Sequence, residues 1–99
     1  MPINPPVLAQ RRHPMESAGI RSINGDFSTS VKFINNSSIT VNVYWLDYNG
    51  KRKFYKSLQA GEQYIQQTYL THPWLITDTS NSPLYLFFPD AQARIAEIQ

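Results

Sequence analysis

The sequence contains no cysteine, and this absence excludes several kinds of structure and chemistry. A chain without thiols forms no disulfide, no thiolate metal site and no cysteine nucleophile. No apolar run approaches the roughly 18 residues of a membrane span, and the N-terminus lacks the apolar core of a signal peptide. We therefore expect a soluble, cytoplasmic protein without a membrane partner.

Catalytic and metal-binding patterns are also missing. No carboxylate pair has a spacing that suggests acid and base roles, and no serine lies on a sharp strand-to-helix turn where His72 could activate it. Zinc-ligand spacing does not occur. We expect no enzyme activity, no catalytic residue, no metal and no cofactor. A net charge of +2 does not by itself indicate nucleic acid.

The chain divides into two regions. Residues 1–18 contain four prolines and the pair Arg11-Arg12 but almost no periodic apolar pattern, which is typical of a flexible, disordered Pro-rich leader. Residues 19–99 are long enough for one domain with one core. We expect this second region to fold without the leader.

Turn residues interrupt residues 19–99 every eight to twelve positions or so, and the short segments between them are rich in Val, Ile, Tyr, Phe and Trp. This pattern predicts an all-β sandwich. The predicted strands are residues 30–35, 39–46, 51–58, 63–70, 74–77 and 84–88, with Asn49-Gly50 closing a hairpin. The glutamine-rich strand 63–70 is expected at an edge or groove wall, and the apolar strand 84–88 is expected to be covered on both faces.

A candidate binding site lies in residues 68–74, which combine a hydroxyl, an imidazole and an indole. Pro73 keeps His72 out of the helical region, so the imidazole is presented from an extended corner. Thr68 and His72 can make two directed hydrogen bonds beside the flat wall of Trp74, which suits a small ring with one polar group. A core tryptophan beside a surface histidine is the simpler interpretation of the same residues.

The spacing of these residues resembles a known family. Trp45-Leu46, Tyr55, Leu58, Gly61, Thr68-Tyr69, His72, Trp74 and Asp78 follow one another as in the β domain of the von Hippel–Lindau protein. The resemblance extends without gaps from about Arg21 to Asp78, and it includes the strand Val31–Asn35 and the closing Leu86-Phe87-Phe88-Pro89. It implies a prealbumin-like, seven-stranded sandwich that binds hydroxylated proline in an extended partner segment.

The resemblance also implies roles for individual residues. Trp45, Tyr55 and Trp74 would form aromatic walls around the pyrrolidine ring, and Thr68 and His72 would bind its hydroxyl. The main chain of Gln67 would pair with the bound peptide as an additional strand. Two residues match flanking contact positions, namely Tyr69 and Asn24.

Departures from the family are equally informative. The position of Thr68 is normally serine, that of Gln67 is usually histidine, and Asp26 stands where the family has a basic residue. The family's helical domain, which recruits elongin and a ubiquitin ligase, has no counterpart after Phe88, so we expect no such recruitment by this chain alone. For Ile95–Ile98, helix propensity after Asp90 predicts a helix, whereas the resemblance predicts the last strand; we follow the resemblance.

Two alternatives to peptide binding stay open at this point. Lys51, Arg52, Lys53 and Lys56 are interleaved with aromatic residues, a pattern found in nucleic-acid-binding strands, although lysines on an edge strand also prevent aggregation. The second alternative is a purely structural sandwich in which the aromatic residues only pack. For Asp78, a turn residue that binds main-chain amides is the expected role.

Overall fold

The computed structural model describes residues 19–99, which form seven β-strands in two sheets and, within this range, no helix. The leader predicted for residues 1–18 lies outside the described residues. The all-β prediction is confirmed, and the strands are β1 (Ser28–Asn35), β2 (Val41–Leu46), β3 (Arg52–Leu58), β4 (Gln63–Tyr69), β5 (Trp74–Thr77), β6 (Pro83–Phe87) and β7 (Arg94–Ile98). The part of the chain that the structure describes therefore contains no helix that could cross a membrane.

The two sheets have different strand orders. One sheet contains three strands in the order β4-β1-β7, and the other contains four in the order β3-β2-β5-β6. All neighbouring pairs are antiparallel except β1 and β7, which are parallel. β3 and β4 follow each other in the chain, and each is the edge strand of its own sheet. The glutamine-rich strand is thus an edge strand, as its sequence predicts.

The main core lies between the sheets and is built from alternate residues of each strand. Phe33 is at its centre, with its ring centroid 5.7 Å from Tyr64, 5.8 Å from Trp74 and 6.2 Å from Phe87. Phe33 and Phe87 are fully buried. The other aliphatic core residues are at most 1% exposed: Val31, Val41, Val43, Leu58, Ile76, Ala96 and Ile98. The period-2 alternation of short strands accounts for this core, since one face of each sheet must be apolar.

The outer face of the four-stranded sheet carries a second apolar cluster. Leu46, Leu75 and Leu86 are buried there, and Ile20, Tyr44 and Phe88 cover them. Tyr85 and Phe87 point into the main core while Leu86 points to the opposite face, so β6 is covered on both sides. This confirms the prediction made from its unbroken apolar sequence.

Only the strand over residues 74–77 keeps both predicted boundaries, and the other six strands begin or end one or two residues away from their predicted positions. The second strand begins at Val41 rather than at Ile39, whose side chain is 46% exposed in the preceding turn. The turn is held by Asn35, which donates a 2.8 Å hydrogen bond to the Ile39 carbonyl and keeps this residue out of the ladder. The last strand begins one residue earlier than predicted and extends over Arg94–Ile98.

The C-terminal segment shows tertiary context overriding helix propensity. Asp90 does not begin a helix; its carboxylate accepts hydrogen bonds of 2.8 and 2.9 Å from the Arg94 guanidinium. Ala96 and Ile98 are fully buried against β1, and only a strand with period-2 spacing places both in the core. The strand interpretation of this segment is therefore confirmed.

The predicted turns have the expected chemistry. Gly50 and Gly61 adopt φ angles of +76° and +86°, a region that residues with a Cβ rarely occupy. Asp78 accepts hydrogen bonds from the main-chain amides of Ser80 and Ser82 at 2.8 and 3.0 Å. It is therefore a turn residue, as its surroundings in the sequence predict.

Asn35 links the two sheets at the end of β1. Its buried amide donates to the Ile39 and Leu58 carbonyls at 2.8 and 3.0 Å, and its carbonyl oxygen accepts from the Ser37 amide at 3.0 Å. Its main chain also bonds to the turn before β4, through Gly61 and Glu62. One buried side chain thus holds both the β1–β2 turn and the C-terminal end of β3, at Leu58.

We predict that Asn35→Ala lowers the free energy of unfolding by about 2–4 kcal/mol, because it leaves buried carbonyl groups without a donor. The neighbouring Asn36 is the matched control, since its side chain binds Glu97 on the surface. Asn36→Ala should change the stability by less than about 0.5 kcal/mol. Equilibrium denaturation of both variants measures this difference, and equal effects would contradict the linking role of Asn35.

Candidate functional site

A groove with a volume of about 280 Å³ opens between the edge strands of the two sheets. One rim is β4, and the other is formed by β3 together with the aromatic residues behind it. The lining residues are Trp45, Tyr55, Gln66, Gln67, Thr68, Tyr69, His72 and Trp74. All five residues predicted for the pocket therefore lie together, and so do two of the three predicted flanking residues.

A β-bulge in β3 directs Tyr55 into this groove. Lys56 pairs with Val43 and Phe54 pairs with Tyr44, so Tyr55 is the additional residue between them and has no partner on β2. Bulges commonly reorient a side chain beside a functional site. The Tyr55 ring meets the edge of Trp74 with centroids 4.9 Å apart, and its side chain remains 47% exposed. It is the most accessible aromatic wall of the groove.

Trp74 and Thr68 form the floor. Trp74 is only 2% exposed and belongs to the main core, but one edge of its indole reaches the groove. Its Nε1 donates a 2.9 Å hydrogen bond to the Thr68 hydroxyl, which is itself 2% exposed. The Thr68 oxygen is therefore an acceptor within the protein, and among residues 19–99 no acceptor takes the proton of this hydroxyl.

Trp45 is positioned by a buried serine that the sequence analysis did not identify. Ser22 accepts a 2.7 Å hydrogen bond from Trp45 Nε1 and donates a 2.6 Å bond to the Leu46 carbonyl. The indole is thereby held in one orientation, and its face stacks on the His72 ring at 5.1 Å with an interplanar angle of 28°. No short motif in the sequence marks Ser22, because its partners are 23 and 24 residues away.

His72 is surrounded by aromatic rings. Besides Trp45, the rings of Tyr69 and Tyr48 lie 5.0 and 5.5 Å away, and the Tyr48 hydroxyl is 3.2 Å from Nε2. Burial lowers the pKa of His72 below its ordinary value, and the nearby Asn24 main chain partly opposes this effect. Burial thus disfavours the charged form of the imidazole, and one of its two nitrogens is bound to Tyr48.

Tyr48 is the second residue that the sequence analysis missed. It lies in the hairpin turn after β2, where the other residues, Asp47, Asn49 and Gly50, are typical turn formers. A large aromatic side chain in such a turn is the signal that could have identified it, since turn positions favour small polar residues. Gln66 was also missed, although it shares β4 with the predicted Gln67.

The third flanking residue, Asn24, does not line the groove. Its main-chain amide and carbonyl both bind the Thr71 hydroxyl, at 2.9 and 2.8 Å, and its side chain accepts from the Asp26 amide at 3.2 Å. Asn24 therefore holds the segment before β1 against the corner that contains His72. A direct contact between Asn24 and a ligand stays a prediction.

Comparison with known proteins agrees with the resemblance of the sequence. The family model of the VHL beta domain matches residues 20–90, which include every residue of the groove. A search of curated proteins found no match to the chain. The family match supports a role in recognising a protein substrate.

The lowered pKa of His72 predicts a pH-dependent component of stability. Because the folded protein binds this proton less well than the unfolded chain, stability is complete above the ordinary histidine pKa of about 6.5 and falls as the pH decreases below it. Thermal unfolding between about pH 7.5 and pH 5 should show this loss in the wild type. In His72→Phe the loss over this interval should be smaller, and an unchanged slope would contradict the assignment to His72.

Proposed function

The chain belongs to the VHL β-domain family, and we propose that it is a recognition module for an extended protein segment that carries 4-hydroxyproline or proline. The observation that supports this function is the Thr68 hydroxyl at the floor of an aromatic groove, with its oxygen bound by Trp74 and its proton unused. A buried donor without an acceptor is unfavourable unless a ligand supplies one. The oxygen of a ring hydroxyl is such an acceptor.

The imidazole complements this arrangement. Because Tyr48 binds Nε2 of His72, a ligand hydroxyl would bond with Nδ1. If Nε2 carries the proton and donates it to the Tyr48 oxygen, Nδ1 is an acceptor. A hydroxyl on the ligand can then accept from Thr68 and donate to His72, which uses both of its hydrogen-bonding capacities. An unmodified proline can do neither.

The groove dimensions suit a single small ring. Its volume of about 280 Å³ is at the lower end of the usual range for ligand pockets, and its aromatic residues contact one another at their edges. Trp45 and Tyr55 meet edge to face with ring centroids 6.4 Å apart, and both line the groove. This partly open arrangement favours binding over the purely structural interpretation.

The β4 rim provides a template for an extended peptide. It is an edge strand, so on one side its main-chain amides and carbonyls have no neighbouring strand. A peptide that adds to this edge beside Gln67 would place one residue over the groove, because successive side chains alternate between faces. The aromatic walls then contact this residue while the main chain supplies affinity that does not depend on sequence.

The nucleic-acid alternative is weakened by how the basic residues are distributed. Arg52 lies on the outer face of the sheet, where its guanidinium binds the Asn81 carbonyl at 2.9 Å and sits 5.7 Å from the Tyr44 ring centroid. Lys53 and Lys56 are paired with Trp45 and Val43 and therefore lie on the opposite face of the sheet. The four cations of this strand region therefore do not form one continuous surface for a phosphate backbone.

Discrimination between hydroxyproline and proline tests the proposed function. In the complex with proline, Thr68 and His72 would each keep a partner, Trp74 and Tyr48 respectively. Relative to the hydroxyproline complex, the proline complex therefore lacks two hydrogen bonds, but it leaves neither side chain without any partner. At about 0.5–1.5 kcal/mol each, this is about 1–3 kcal/mol, which corresponds to a roughly five- to 150-fold preference for hydroxyproline.

Two variants at one position separate the hydroxyl from the shape of the side chain. Thr68→Val should abolish most of the preference, whereas Thr68→Ser keeps the hydroxyl and should retain it. Calorimetric titration with matched peptides measures both, after thermal melts have shown that the variants are folded. Equal affinity of the wild type for the two peptides would contradict hydroxyproline recognition, and no binding of either would return the groove to a purely structural role.

The aromatic walls require a different choice of variant. Trp74→Ala removes a buried core residue and should destabilise the protein by about 3–5 kcal/mol, so its effect on binding would be confounded with unfolding. The half-exposed Tyr55 is the better probe. Tyr55→Ala should weaken both peptides by a similar factor while changing the stability little.

A further inference from the structure

Two lysines lie on β3 on either side of the groove residue Tyr55, although neither is among the residues that line the groove. Lys53 is paired with Trp45, and residues paired across antiparallel strands share one face, so Lys53 points to the groove side. Lys56 is paired with the core residue Val43, and its ammonium lies 5.5 Å from the centroid of Tyr64 on β4. The β-bulge thus places Tyr55 between two cations that face the same side.

These two cations form no salt bridge within the part of the chain that the structure describes. Among residues 19–99, no carboxylate lies within ion-pair distance of Lys53 or Lys56. Asp47 is bound within its own hairpin turn to the amides of Asn49 and Lys51, although the charge of Lys53 contributes to lowering its pKa after the larger effect of the Lys51 amide. The opposite rim consists of the neutral Gln66, Gln67, Thr68 and Tyr69.

The remaining carboxylates of this region are at the ends of the groove. Glu62 binds the Gln59 amide in the turn that joins β3 to β4, at 2.7 Å. Asp26 lies beside Asn24 before β1, on the β4 side, where its amide binds the Asn24 side chain. An extended ligand in the groove therefore lies between a neutral rim on β4 and a positive rim on β3.

We infer that the partner segment carries acidic residues within about two positions of its proline or hydroxyproline. An extended chain advances about 3.3 Å per residue, so side chains up to two positions from the ring are within the reach of Lys53 and Lys56. This inference rests on the proposed function and specifies the chemistry of its partner. The ring determines the position of the ligand, and the two lysines select the charge of its flanks.

The test uses nine-residue peptides with a central 4-hydroxyproline and either Asp, the isosteric Asn or Lys at two positions before and after it. Fluorescence anisotropy with the full chain should show the Asp peptide binding about three- to tenfold more tightly than the Asn peptide at low salt. The Lys peptide should bind more weakly than both. The preference should shrink as the salt concentration rises, because exposed charges are screened.

Single-charge variants provide the control. Lys53→Gln and Lys56→Gln should each reduce the preference for the Asp peptide and leave the affinity for the Asn peptide nearly unchanged. Lys32 lies between the core residues Val31 and Phe33, so it points away from the core on the three-stranded sheet. Lys32→Gln makes the same change in net charge and should leave the preference intact.

The outcomes distinguish this inference from the function on which it rests. Equal binding of the Asp and Asn peptides by the wild type would overturn the acidic-flank inference while the proline groove stands. No binding of any peptide would overturn both. A single-stranded oligonucleotide that binds more tightly than the Asp peptide, and loses affinity in the Lys53 and Lys56 variants, would assign these cations to nucleic acid. If these variants aggregate while their preference for the Asp peptide over the Asn peptide is unchanged, the role of the two lysines is to protect the edge strand from aggregation.

Discussion

Trp74 belongs to both the hydrophobic core and the groove, so the packing of the core and the geometry of the groove depend on each other. Its indole packs against Phe33 between the sheets, while its Nε1 reaches the Thr68 hydroxyl at the floor of the groove. The floor of the site is therefore part of the hydrophobic core. The packing of β1 and β4 against β5 therefore also determines the position of the Thr68 hydroxyl, the donor that would meet a ligand.

The groove exists because the two edge strands do not close over the core. Its walls are built from residues that each fulfil a packing role as well: Trp45 is fixed through Ser22, and Tyr55 is turned inward by the bulge. Such a site loses little entropy on binding, since its aromatic side chains already contact one another. The imidazole is likewise oriented in advance, because Tyr48 and the stacked Trp45 leave it little freedom.

The departures from the family pattern fall on the rims of this groove. Asp26 and Gln67 are the departures near the β4 side. The residues proposed to bind the ring follow the family, apart from threonine in place of serine.

The strand pattern, most turns and all five pocket residues were predictable from the sequence, because period-2 alternation, glycines in turns and the family spacing are local or position-by-position signals. Tertiary structure alone decided three features. Ile95–Ile98 is a strand because β1 offers a core-facing neighbour for Ala96 and Ile98, an advantage that helix propensity does not contain. Tyr55 enters the groove because β2 and β3 are out of step by one residue, which alternation within either strand cannot reveal. Ser22 and Tyr48 became part of the site through side-chain hydrogen bonds that join residues 23 and 24 positions apart, and such contacts exist only once the chain has folded.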